Sequence, residues 1–123
     1  MELGVKAFLD IVNSKLSEFS EEVVLMCPNK ESQFPCRQID TPLKSVERTN
    51  ALDTFQISIQ HWHEDQGLAI KMADETDLKL LGCNLIRIRT NPCIYDETLQ
   101  KYQLTSTYEV RYNALTNAFQ KIK

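Results

Sequence analysis

The chain has 123 residues, of which 42% are hydrophobic and 25% charged, with only 3 Gly and 4 Pro. That length suits one globular domain with a modest core, and the composition excludes disorder or a fibrous repeat over the whole chain. Seventeen acidic against fourteen basic residues, net −3, is the wrong balance for holding nucleic acid through its phosphates, and the longest aliphatic run, Val23 to Met26, falls far short of the roughly 20 residues that cross a bilayer.

Val5, Phe8, Leu9, Val12, Leu16 and Phe19 recur at helical spacing, which predicts an amphipathic helix over about residues 3 to 17. Val23 to Cys27 is β-branched and apolar and stops at Pro28-Asn29, so it reads as a short strand ending in a turn. A second strand is expected at Gln33 to Asp40, with Pro35 placing it at an edge or delaying its start. Thr41 to Asp53 shows neither period and reads as a long loop or hairpin excursion, the kind of segment that tends to be functional.

From Thr54 the alternation is plain: Phe55, Ile57, Ile59 and His61 point one way, and Thr54, Gln56, Ser58, Gln60 and Trp62 the other. Asp65 or a neighbour can cap a helix from about Gln66 that carries Leu68, Ala69, Met72, Ala73, Thr76 and Leu80 on one side and stops at Gly82. Cys83 to Thr90 is a further strand with Ile86 and Ile88 on one face, and Tyr95 to Lys101 reads as a turn. Tyr102 to Tyr112 alternates over eleven residues and predicts a long strand whose wet face is rich in Gln and Thr. Ala114, Leu115, Ala118, Phe119 and Ile122 fall at helical spacing in the tail.

The expected order is α-β-β-loop-β-α-β-β-α, an α+β single domain over residues 1 to 123 in which a mostly antiparallel sheet packs against helices on one face. The links at 28 to 32 and 91 to 101 are of hairpin length and favour antiparallel neighbours.

Cys27, Cys36, Cys83 and Cys93 are even in number, but their spacing is too loose for zinc knuckles. The opening Met-Glu-Leu-Gly-Val-Lys has no basic n-region, so the expectation is synthesis inside the cell and four reduced thiols. His61-x-His63 followed by Glu64 and Asp65 is the one cluster with metal-ligand chemistry. Because His61 continues the apolar face of Phe55, Ile57 and Ile59, a packed, hydrogen-bonded imidazole is the reading preferred over a metal ligand. No thiol is singled out as a nucleophile, and glycine at positions 4, 67 and 82 alone cannot build a phosphate loop. Asp74, Glu75 and Asp77, like Asp96 and Glu97, read as solvated charges. No catalytic residue, cofactor or metal is expected.

The segments Thr-Phe-Gln-Ile-Ser-Ile-Gln-His-Trp-His-Glu-Asp, Leu-Gly-Cys-Asn-Leu-Ile-Arg-Ile-Arg and Tyr-Glu-Val-Arg-Tyr-Asn-Ala-Leu-Thr-Asn-Ala-Phe follow an amphipathic helix, two short strands and a long excursion. In that order they resemble the tail terminator family of long-tailed bacteriophages, over nearly the whole chain. The resemblance implies a structural virion protein, with no catalysis, that forms a hexameric ring on the tail tube. It implies the tail tube protein and the head-tail connector protein as partners, with no membrane and no sequence-specific nucleic acid. The excursion, with Lys44, Glu47, Arg48 and Asp53, becomes the expected contact with the tube or a neighbouring subunit. A head-completion protein of the same particle is the sibling reading. A small metal-dependent enzyme using His61, His63, Glu64 and Asp65, and an adaptor domain outside any virus, are the competing classes.

Overall fold

In a computed structural model the described residues are 4–25, 28, 33–46, 52–113 and 115–120. Their elements are α1 (Val5–Leu16), β1 (Glu22–Val24), β2 (Cys36–Ile39), β3 (Leu43–Val46), β4 (Leu52–His63), α2 (Gln66–Leu81), β5 (Ile86–Thr90), β6 (Ile94–Asp96), β7 (Lys101–Asn113) and β8 (Ala118–Gln120). They form a single small domain with two helices and one eight-stranded, mostly antiparallel sheet.

Two long strands carry that sheet. β4 and β7 pair antiparallel from Leu52↔Asn113 to His63↔Tyr102, and shorter strands line their outer sides. Along β4 lie β2 and β3, with partners Cys36↔Trp62 and Leu43↔Gln56. The register advances by one residue between them, at Asp40 to Pro42, so β2 and β3 amount to one strand broken at a residue that has no N–H to donate. Along β7 lie β8, β5 and β6, with a second register shift between Arg87 and Arg89.

Alternation sets the faces. Phe55, Ile57, Ile59 and His61 on β4 stand beside Val110, Tyr108, Ser106 and Leu104 on β7, and all eight are buried. The helices cover this face. α1 delivers Phe8, Val12 and Leu16 at i, i+4 and i+8, and Phe8 stacks on Phe55 at 4.5 Å. α2 starts where Asp65 accepts the Leu68 amide at 3.0 Å, and it buries Ala69, Met72, Ala73, Thr76 and Leu80. Leu68, which the helical period places on the same side, is 44% exposed.

Four expectations are corrected. β1 pairs β2 in parallel, Glu22↔Cys36 to Val24↔Gln38, because the eleven residues 25–35 between them are enough for the chain to return before pairing. Residues 26, 27 and 29–32 of that link lie outside the described residues. The excursion contains β3, so its first part is one arm of a hairpin with β4. Tyr95 belongs to β6, where its ring meets Tyr102 edge-on at 5.1 Å.

The tail helix is replaced, over the described residues, by a turn and β8. Asn113 accepts the Leu115 and Thr116 amides, and Asn117 takes the left-handed conformation (φ 54°) while receiving the Tyr112 hydroxyl at 2.7 Å. The chain then reverses onto β7, and Phe119 packs edge-on against Tyr112 and Phe8. Leu115, which the helical period assigns to a packed face, is 81% exposed. Gln33 to Asp40 starts as a strand only at Cys36, directly after Pro35.

Phe8 joins α1 to both the sheet and β8. Phe8→Ala is expected to cost about 3–5 kcal/mol, measured by urea unfolding against the parent chain.

Candidate functional site

Arg37 is the most demanding residue of the sheet. It lies on the helix-covered face of β2, opposite His61, and is fully buried. A buried guanidinium needs an acceptor along each of its edges. Nη1 donates to Glu21 at 2.7 Å, Nε to Thr76 Oγ1 at 2.8 Å, and Nη2 to the Met72 carbonyl at 3.2 Å, with a Glu75 oxygen 3.8 Å away. Its plane covers the Phe19 ring at 4.0 Å.

Thr76 links this cation to His61, whose Nε2 lies 2.8 Å from its hydroxyl and whose Nδ1 lies 3.0 Å from the Leu104 carbonyl. A carbonyl only accepts, so Nδ1 carries the proton, and Nε2 of the neutral ring accepts, competing with the Met72 carbonyl at 3.0 Å for the single proton of Thr76. The Thr76 oxygen is then free to accept from Arg37. When the Thr76 proton turns to His61, the neutral ring has both nitrogens bonded and the Met72 carbonyl still accepts from Arg37 Nη2.

Titration follows from this geometry. Burial pushes His61 down to about 4, the Leu104 carbonyl opposes that shift and the Arg37 charge adds to it. Burial pushes Glu21 up, but the hydrogen bond and charge of Arg37 outweigh it and hold the carboxyl below its usual range. Asp77 accepts the buried Tyr108 hydroxyl and pairs with Arg87 at 2.8 Å. Burial first, then Asp77, pushes the Tyr108 phenol upward. Glu75 and Asp77, expected as solvated charges, thus belong to the framework that holds α2.

Both histidines have structural work. His63 Nδ1 accepts the Asp65 amide at 3.0 Å, which shapes the turn into α2. His61 can bind a metal only by surrendering a buried hydrogen bond. Among the described residues no three His, Cys, Asp or Glu side chains converge as ligands. Cys36, Cys83 and Cys93 are free thiols, and burial, followed by the nearby Glu22, pushes Cys36 up to about 11. Cys27 lies outside the described residues.

Two of the four expected contact residues meet each other. Lys44 and Asp53 are diagonal neighbours across the β3–β4 hairpin, 3.5 Å apart, with side chains 12% and 6% exposed. Lys44 also sits 5.8 Å from the centre of the Phe55 ring. Their charges brace the end of the β3–β4 ladder that adjoins the link 47–51. Glu47 and Arg48 lie outside the described residues.

The helix-free face carries a second polar network. Trp62 Nε1 donates to Gln38 at 3.3 Å, and the Gln38 and Gln60 amides both donate to Asp40 at 3.1 Å. Gln103 donates to Gln60 at 2.6 Å and to Thr105 at 2.9 Å, and the Ser58 and Thr107 hydroxyls lie 2.9 Å apart. The Gln and Thr residues expected to face water are therefore cross-linked across three strands. No protein-family model and no curated protein sequence matches the chain.

Two measurements test the cluster. Thr76→Val keeps the shape but strips a partner from His61 and from Arg37, and it is expected to cost about 3 kcal/mol by urea unfolding. The unfolded chain takes up the His61 proton below its ordinary value of 6.5, whereas the folded chain resists until about 4. Stability therefore falls as pH drops through that window, by about 3 kcal/mol in all. His61→Gln, which cannot titrate, is expected to flatten that slope in a pH series of unfolding curves.

Proposed function

We propose that the chain is a structural subunit of a long-tailed phage particle, a tail terminator that assembles as a ring, completes the tail tube and joins it to the head connector. What carries this reading is the link 47–51 between β3 and β4, because the strands on either side are held in the sheet, β3 on β4 as far as Val46↔Asp53 and β4 on β7 as far as Leu52↔Asn113, and are braced beside the link by Lys44 and Asp53. A charged link anchored to a rigid sheet end suits a protein that works by meeting a neighbour, and its sequence, with Glu47 and Arg48, supplies charge of both signs. The two polar networks support the reading as well, because each is closed on itself and serves the fold. The metal-enzyme alternative would require His61 to give up one of its two buried hydrogen bonds.

The test replaces residues 48–51 with an Asn-Gly turn and Glu47 with Thr, which keeps the Val46↔Asp53 register and so β3, Lys44 and Asp53 in place. In a phage carrying this variant, the protein is expected to melt as the parent does while tails and heads remain unjoined in electron micrographs. Normal yields of joined, infectious particles would overturn the proposal, as would a source genome with no tail genes beside this one.

A further inference from the structure

β1 and β5 end the strand order on its two sides, and among the described residues each pairs with one strand only, as do the shorter side segments β3, β6 and β8. The order β1-β2-β4-β7-β5 leaves β1 at one side and β5 at the other. Unpaired edges with apolar side chains invite another strand. Leu25, beside β1, is 55% exposed, and Ile88, thrown outward at the register shift of β5, is 45% exposed.

The charges on the two edges are opposite and similarly arranged. Next to β1, Glu21 is spent on Arg37 while Glu22 is exposed. On β5, Arg87 is spent on Asp77 while Arg89 is exposed. Glu22 stands opposite Cys36, and Cys36 opposite Trp62; Arg89 stands opposite Thr107, and Thr107 opposite Ser58. Trp62 and Ser58 share the helix-free face of β4, so Glu22 and Arg89 project from the same face at opposite ends of the sheet.

We propose that second copies of this chain join edge to edge, β1 of one copy pairing antiparallel with β5 of the next, with Glu22 against Arg89 of the next copy. Strand direction agrees with this contact. β1 runs with β2 and β7, and β5 runs against β7. Rotation about an axis along the strands preserves these directions, so β1 meets the neighbour's β5 antiparallel. The contact joins unlike patches, as a closed ring of more than two members requires. Only the closed geometry rests on the tail-ring reading; the pairing itself does not.

The two edges of one chain are four inter-strand spacings apart, about 19 Å, so a zero-length link between them is intermolecular. Arg89→Lys keeps the charge and supplies an amine that a carbodiimide can couple to Glu22. Concentrated protein of this variant is expected to give a ladder of multimers, with mass spectrometry finding an isopeptide between Glu22 of one copy and the amine introduced by Arg89→Lys in the next. In sedimentation velocity, Glu22→Arg and Arg89→Glu are each expected to weaken association about tenfold or more, and the double reversal in one chain to restore it. Each variant is first shown to melt as the parent does.

A chain that stays monomeric, a ladder lacking this link, or reversals that change nothing would overturn the edge contact. The first of these outcomes leaves the tail role to be decided by the exchange of the link 47–51 alone. Conversely, the isopeptide at Glu22 in the Arg89→Lys variant, together with fully infectious particles from the link exchange, would sink the tail reading and keep the pairing.

Discussion

A guanidinium with no exposed surface constrains everything around it. Arg37 reaches that state on β2 only because three other parts of the chain bring acceptors or a π face: the turn after α1 with Phe19 and Glu21, and α2 with Met72, Thr76 and Glu75, while His61 on β4 orients Thr76. Each donor bond also fixes where its partner element lies. The cost of removing a cation from water is several kcal/mol, so the cluster selects one arrangement more than it adds net stability. The domain accordingly has two ends: an aromatic one where Phe8, Phe55, Tyr112 and Phe119 meet, and a polar one centred on Arg37.

The elements legible in the sequence are those whose period is enforced by burial on one face. The Phe55-to-His61 alternation, the α2 span from Asp65 to Gly82 and the long Tyr102-to-Tyr112 strand all stand as read. His61 as a packed imidazole was legible too, since it prolongs an apolar stripe. Failures came where period was accidental. Ala114, Leu115 and Ala118 mimic a helix, but the Asn residues at 113 and 117 were the usable signal, because a side chain that accepts the next amides and a residue tolerant of positive φ together make a turn.

Arg37 was not legible at all. An arginine between Cys36 and Gln38 gives no local hint of burial, since its partners are 16 to 39 residues away. The same holds for Glu75 and Asp77, whose spacing on α2 resembles that of any solvated helix. Lys44 and Asp53 were recognised as notable, yet their pairing depends on a register that the one-residue break at Asp40 to Pro42 creates. Pro42 marks where the pairing breaks, but nothing in the neighbouring residues says by how much the register moves.

That broken register also explains the architecture of the edges. Long, straight edge strands aggregate, and this sheet has none: β4 and β7 are flanked by segments of three to five residues separated by shifts. Three residues of β1 offer too few backbone bonds for indiscriminate pairing, so whatever binds there must also match the charge and the apolar side chains beside it. Short edges give selectivity at the expense of affinity. In the proposed edge contact each pairing is individually weak, so association rises with concentration, and a closed array gains from making all of its contacts at once. The buried charges keep the fold single-valued, whereas in the proposed edge contact the exposed Glu22 and Arg89 would choose the neighbour.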